Sequence, residues 1–152
     1  MSLKRLLSQG KLTHHKTSKK EIGNLLQLVK RDIRDAKVKG LSNDRRFATV
    51  YNAVLQLGII LLYSSGYRTK GIGSHFTVFQ AMQEILGQDY IELANYFDSC
   101  RAKRNITDYD YAGGVSKKEA EELIDEVEKF LKFVQKYLRD NFPDLLRKNK
   151  GK

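Results

Sequence analysis

The chain contains a single proline, Pro143, among 152 residues, and this scarcity constrains the fold more than any other feature. Proline lacks the backbone N–H that a helix interior needs, and its ring clashes with the preceding turn. A long chain almost without proline therefore favours long, uninterrupted helices. Charged residues make up 30% and hydrophobic residues 41% of the chain, which indicates a folded domain and excludes a wholly disordered one.

Five stretches carry apolar residues at helical spacing, and serines precede four of them. A serine hydroxyl at the start of a helix accepts a hydrogen bond from a first-turn amide. Ser18 and Ser116 are each followed three positions later by a glutamate, which is the pattern of a capping box. These signals predict helices over residues 19–39, 43–64, 75–86, 89–108 and 117–142. The second helix is apolar nearly all round after Ala53, which predicts a central position for it.

The predicted fold is all-α: an antiparallel up-and-down bundle of four to five helices joined by short loops. Residues 1–17 are predicted to form a basic flexible lead-in, mobile or marginally helical over Met1 to Gln9, residues 18–142 the bundle, and residues 143–152 a basic C-terminal tail. No segment shows convincing period-two alternation, so the sequence predicts no strand. Residues 66–73 are predicted to form a loop.

Cysteine and histidine usage limits the chemistry. The lone cysteine, Cys100, excludes an intramolecular disulfide framework and a cysteine-based zinc site, and its place on an apolar helix face predicts a buried thiol. His14 and His15 are neighbours and cannot share a helix face, so no metal site and no cofactor are predicted. No signal peptide is visible, and the longest apolar run, Ala53–Tyr63, is too short to span a bilayer. We therefore expect a cytoplasmic protein that makes no membrane contact.

The net charge of +10 lies almost entirely in the first third of the chain. Such a charge suits contact with a polyphosphate, and a solvated helix surface with a basic tail explains it equally well. A sharper signal lies in the fourth helix, whose apolar stripe continues without changing face into Arg101 and Arg104. Either these arginines pair with carboxylates such as Asp108, or they line a cleft that receives an anion.

Several polar residues near these arginines complete a candidate site. Arginine holds phosphate through its planar fork, asparagine orients a hydroxyl, and tyrosine stacks on a base. His75, in the first turn of the third helix, faces either the cleft or the solvent. The candidates for binding RNA or a nucleotide are Arg101, Lys103, Arg104, Asp108, Tyr111 and His75.

The five-helix plan with Arg104-Asn105 near the end of the fourth helix resembles the HEPN superfamily, whose name stands for higher eukaryotes and prokaryotes nucleotide-binding. The resemblance covers residues 18–142. It implies a homodimer whose two motifs form one cleft that cleaves RNA without a metal. Arg104, Asn105 and Tyr109 would be the catalytic residues, with Tyr109 at the position where HEPN ribonucleases carry a histidine. Tyr111 corresponds to a tyrosine that a partner nucleotidyltransferase adenylylates in some toxin subfamilies.

Two functions follow from these patterns. The first is an RNA- or nucleotide-binding component of a toxin–antitoxin or defence system, with metal-independent RNA cleavage if it is an enzyme. The alternative is a non-catalytic dimeric helical module that docks onto a nucleotidyltransferase-like partner or an antitoxin. The tyrosine in place of the motif histidine favours the module, because a phenol has a reference pKa of about 10 and is a poor base near neutral pH.

Overall fold

A computed structural model describes residues 2–70, 74–109 and 114–146; for residues 105–109 it describes the backbone alone. This part of the chain is mostly helical and contains one small antiparallel sheet. Two single turns of 3-10 helix, Gln88–Tyr90 and Pro143–Leu145, complete the regular structure. The helices and strands are α1 (Leu3–Ser8), β1 (Leu12–His14), α2 (Lys19–Ala36), α3 (Asn43–Ser64), β2 (Tyr67–Thr69), α4 (Ser74–Leu86), α5 (Ile91–Tyr109) and α6 (Lys117–Asn141).

The predicted helix starts are confirmed where the serine caps are described. The hydroxyl of Ser18 accepts from the amide of Glu21, and the hydroxyl of Ser42 accepts from the amide of Arg45. Ser116 forms the full capping box, because the carboxylate of Glu119 also accepts from the Ser116 amide at 2.9 Å. These bonds satisfy first-turn donors that have no partner within the helix. Local chemistry therefore sets where α2, α3 and α6 begin.

The helix α3 is the centre of the fold, as its apolar composition predicts. It contacts each of the other long helices, α2, α4, α5 and α6. Its approach to α4 is close at Gly58, where an added Cβ would lie 2.5 Å from Cγ1 of Val78. The side chains that α3 buries in the core include Phe47, Val50, Tyr51, Val54, Leu57, Ile60 and Leu61.

Residues 2–17, which belong to the predicted lead-in, contain regular structure. They carry α1 and β1, and Leu6 and Leu12 are buried together with Leu62 of α3 and Ala81 of α4. β1 pairs with β2, with Thr13 opposite Arg68. Three-residue strands are too short to show alternation in a sequence, so neither strand was predicted, and part of the predicted 66–73 loop is β2. Burial of two leucines fixes this segment against the bundle.

The predicted basic tail begins with an ordered turn. After α6 ends at Asn141, the turn Pro143–Leu145 follows, and Leu145 and Leu146 pack against the core. The rest of the tail, from residue 147, lies outside the described residues.

Among the helices described, α3 has the length and apolar composition of a membrane span, although its longest unbroken apolar run is short. Most of that apolar stretch is buried inside the bundle. A core helix accounts for the same pattern, since it is apolar nearly all round for contact with its neighbours.

Candidate functional site

Tyr51 of α3 is the buried residue at the centre of the candidate site. Its side chain is fully buried, and its ring meets the ring of Phe79 edge-on at a centroid distance of 6.3 Å. Its hydroxyl oxygen lies 3.3 Å from Nδ1 of His75. Burial raises the pKa of Tyr51 well above its ordinary value, against a smaller opposing effect of Arg104 and Arg101. Tyr51 is therefore a neutral phenol that keeps its proton.

His75 of α4 lies against this phenol and is also neutral at pH 7. Burial lowers the pKa of His75, and the charges of Arg104 and Arg101 lower it further. The phenol hydroxyl of Tyr51 can then donate to Nδ1, which places the imidazole proton on Nε2. In this tautomer His75 can donate a hydrogen bond to a phosphate oxygen without carrying a charge.

Two arginines of α5 are held on aromatic rings. The guanidinium carbon of Arg104 lies 5.5 Å from the ring centroid of Tyr51. The guanidinium carbon of Arg101 lies 5.8 Å from the ring centroid of Phe76. At these distances the positive charge is attracted to the ring face, an interaction worth about 0.5–2 kcal/mol. Both guanidinium groups are therefore positioned before any ligand arrives.

Arg101 is also tied to a carboxylate. Its Nε donates to Oδ1 of Asp98 at 2.7 Å, and each side chain keeps 29% of its accessible surface. Of the two alternatives predicted for the arginines, this contact supplies a carboxylate partner for Arg101, one turn earlier in α5. The side chain of Asp108, the partner that the sequence suggested, lies outside the described residues. The pair leaves other guanidinium N–H groups available for an anion, because arginine has five donors.

Lys103 forms an ion pair with a helix that contributes nothing to this cluster. Its Nζ donates to Oε2 of Glu119 at 2.5 Å, which joins α5 to the first turn of α6. The same contact is the main reason that the pKa of Glu119 is lowered. The geometry therefore gives Lys103 a role in holding two helices together.

For the remaining predicted site residues, the structure describes the backbone at most. The backbone of Asn105, Asp108 and Tyr109 continues α5, and their side chains lie outside the described residues. Tyr111 lies outside the described residues altogether.

Sequence reasoning missed two members of the cluster, Tyr51 and Phe76. Both belong to the apolar helical stretches that the sequence predicts, and that pattern does not single either out as a site residue. The structure leaves 46% of the Phe76 surface exposed, because the residue lies in the first turn of α4, beyond the buried part of that helix. The one sequence signal that could have pointed to Phe76 as a site residue is its place next to His75 in the first turn of a helix.

Cys100 has no part in this site. Its thiol is buried, as predicted, and burial raises its pKa to about 12. A thiol with such a pKa stays protonated at neutral pH and is a poor nucleophile. Over the described ranges, histidine, cysteine and acidic side chains form no group of three that could hold a metal ion.

Comparison of the chain with protein-family models, curated proteins and solved structures gives no match. The arguments for a function therefore depend on the cluster itself. It consists of a buried phenol, a neutral imidazole, an exposed phenyl ring and two guanidinium groups contributed by α3, α4 and α5.

Proposed function

We propose that this protein is a HEPN-like helical protein that binds RNA, with the phosphate held by Arg101 and Arg104. One observation carries the proposal: Arg104 of α5 and His75 of α4 meet on the same buried ring, that of Tyr51. A positioned guanidinium group beside a neutral imidazole donor suits a phosphodiester, which offers oxygen acceptors and one negative charge. The setting we propose is a cytoplasmic toxin–antitoxin or defence system, with the chain acting as a homodimer.

The same proposal extends to metal-independent cleavage of the bound strand. The ribose 2′-hydroxyl would give its proton to a water molecule as its oxygen attacks the adjacent phosphorus, and the bond to the 5′-oxygen would break as that oxygen takes a proton from solvent. The products would be a 2′,3′-cyclic phosphate and a 5′-hydroxyl end. Arg101 and Arg104 would stabilise the extra negative charge on the phosphorus oxygens. Asn105 and Tyr109 would complete the catalytic set, as the resemblance implies.

Replacing Arg104 tests the site. Arg104→Ala should weaken binding of a single-stranded RNA about 10- to 100-fold, because a charged hydrogen bond and its ion pairing are lost. It should also reduce the salt dependence by about 0.7 in log–log slope for each lost phosphate contact. Fluorescence anisotropy at two salt concentrations measures both quantities.

Arg34→Ala is the matched control, because Arg34 is an exposed arginine of α2 and its loss removes the same charge. It should change RNA affinity by less than about threefold, as expected for a solvated charge. Circular dichroism must show equal helical content in both variants. Equal effects of the two substitutions would remove the site assignment and leave only a general basic surface.

The ion pairs favour a second candidate, the non-catalytic module. Arg101 is paired with Asp98, and Lys103 with Glu119, as in a structural network. In that case the chain would dock onto a nucleotidyltransferase-like partner or an antitoxin, with Tyr111 as a point of contact or modification. RNA binding that is absent at low salt in the unaltered protein, together with a stable complex with such a partner, would favour this function.

A further inference from the structure

Phe76 is one of two large apolar side chains that are exposed in the described part of the chain, the other being Val38. The two differ in their surroundings. Val38 follows α2 in the connection to α3, whereas Phe76 is next to His75 and lies under the guanidinium group of Arg101. A single exposed apolar side chain needs no special explanation. An exposed ring beside groups that we propose to bind phosphate, by contrast, is placed to contact the same ligand.

The ring of Phe76 is held from one side. Arg101 lies over it, and the bond from Arg101 to Asp98 fixes the guanidinium group in turn. With 46% of the residue surface still exposed, a substantial part of the ring remains open to a ligand. Proteins that bind single strands combine such a ring, on which a base stacks, with cationic groups that contact the adjacent phosphate.

The net charge of the cluster is too small for electrostatic attraction alone to give a useful affinity for RNA. Among the side chains described, Arg101 and Arg104 contribute two positive charges and Asp98 one negative charge, so one net positive charge remains. His75 is neutral because burial and the two arginines lower its pKa. One net charge gives only a weak attraction to a phosphate backbone, and salt screens that attraction. Useful affinity therefore requires a contact with the base.

We propose that Phe76 stacks on an unpaired base of the RNA whose phosphates contact Arg101 and Arg104. This inference rests on the proposed function and makes its ligand more specific. In a duplex each base is already paired and stacked, so a side chain can reach its face only after the base is unstacked. The site should therefore select single-stranded RNA over duplex RNA of the same sequence.

The experiment compares Phe76→Ala with Val38→Ala and with Phe76→Trp. Fluorescence anisotropy is measured with a labelled RNA 10-mer, with the same strand in a duplex, and with a strand of equal length that lacks bases. Phe76→Ala should weaken binding of the single strand roughly 5- to 100-fold, the range found for loss of one stacked base. Val38→Ala, which removes the other exposed apolar side chain, should leave affinity unchanged, and Phe76→Trp should retain it because it keeps an aromatic face.

Two further measurements separate the stacking of a base on Phe76 from the phosphate contacts. The strand without bases should bind the unaltered protein and Phe76→Ala with nearly the same affinity, since Asp98 still holds Arg101 in place and only phosphate contacts remain. The salt slope of Phe76→Ala should equal that of the unaltered protein, whereas Arg104→Ala should reduce it. Together these results would separate a base contact from a phosphate contact.

Three results would overturn the inference in distinguishable ways. Unchanged affinity in Phe76→Ala, with a loss in Arg104→Ala, would remove stacking and keep the proposed RNA site. No RNA binding by the unaltered protein would remove the proposed function and the inference together. A shift from dimer to monomer in Phe76→Ala by analytical ultracentrifugation, with RNA affinity unchanged, would show that the ring contacts another copy of the chain.

Discussion

The molecule carries two groups of cationic side chains in contrasting surroundings. The first is the arginine cluster on α5, in which Arg101 and Arg104 rest on the rings of Phe76 and Tyr51. The second surrounds a groove of about 560 Å³ between α2 and α6, which we name the α2–α6 groove. Its residues are Lys30, Ile33, Arg34, Lys37, Glu128, Leu131, Lys132 and Gln135.

The α2–α6 groove has more charged side chains than the arginine cluster, and fewer contacts hold them in place. Lys37 pairs with Glu128 across it, and the two side chains keep 49% and 40% of their accessible surface. Lys30, Arg34 and Lys132 are exposed and form no ion pair with any residue in the described ranges. A ligand would have to order these long side chains, at a cost of about 0.5–1.5 kcal/mol each. Positioning by aromatic rings, rather than the number of charges, therefore distinguishes the candidate site.

The largest expected difference between the two regions is in stability. Tyr51→Ala should lower the free energy of unfolding by about 3–5 kcal/mol, since it empties a fully buried site below the arginine cluster. Leu131→Ala, in the lining of the α2–α6 groove, should cost less because that side chain is only partly buried. Urea denaturation of both variants measures the difference. Equal losses would mean that the two regions are equally well packed.

Two glycines provide the next test. Gly58→Ala should cost about 1–3 kcal/mol, because the new methyl group would lie 2.5 Å from Cγ1 of Val78 and force α3 and α4 apart. Gly23→Ala in α2, where nothing lies within 4 Å of the new Cβ, should stabilise the protein by up to about 1 kcal/mol. Thermal and urea denaturation give both values. A stabilising Gly58→Ala would show that α4, which carries His75 and Phe76, is loosely placed.

The smallest expected effect is on the pH dependence of stability. The pKa of His75 is lowered in the folded protein, first by burial and then by Arg104 and Arg101. Below the ordinary value of about 6.5, the unfolded chain therefore binds more protons at this position than the folded chain does. Stability should fall as the pH falls through this window, and above it the ionisation of His75 should have no effect. The α2–α6 groove contains no histidine and should contribute nothing in this range.

The measurement compares the unaltered protein with His75→Gln. Unfolding free energies at pH 7.5 and pH 5.5 should show a larger acid-side loss in the unaltered protein, because glutamine has no proton to bind. His14 and His15 are present in both proteins, so their contributions cancel. Identical losses in the two proteins would contradict a lowered pKa for His75.

Much of the helical structure could be predicted from the sequence, because its signals are local. The cap at Ser116 and the capping box with Glu119 lie within one helical turn. The apolar periodicity of α6 likewise operates over one or two turns. The strands β1 and β2 were not predictable in the same way, since each is three residues long and is defined only by its partner.

The candidate site was only partly predictable. The placement of Arg101 and Arg104 on an apolar helix face singled them out, and a charge that interrupts such a face is visible in any sequence. The exposure of Phe76 could not be predicted, because apolar periodicity indicates which face of a helix is buried and not at which residue the packing against that face ends. Lys103 is a cation in the same part of α5, and its contact with Glu119, 16 positions away, could not be predicted from the sequence.

The sequence by itself determined that the chain is built from helices and where several of them begin, since backbone conformation and capping depend on neighbouring residues. Only the tertiary structure decided that Tyr51 and His75, 24 positions apart, come within hydrogen-bond distance and that Arg104 lies over the same ring. The physical reason is that such contacts depend on how α3, α4 and α5 pack. That packing is set by close approaches such as the one between Gly58 and Val78, which no local pattern encodes.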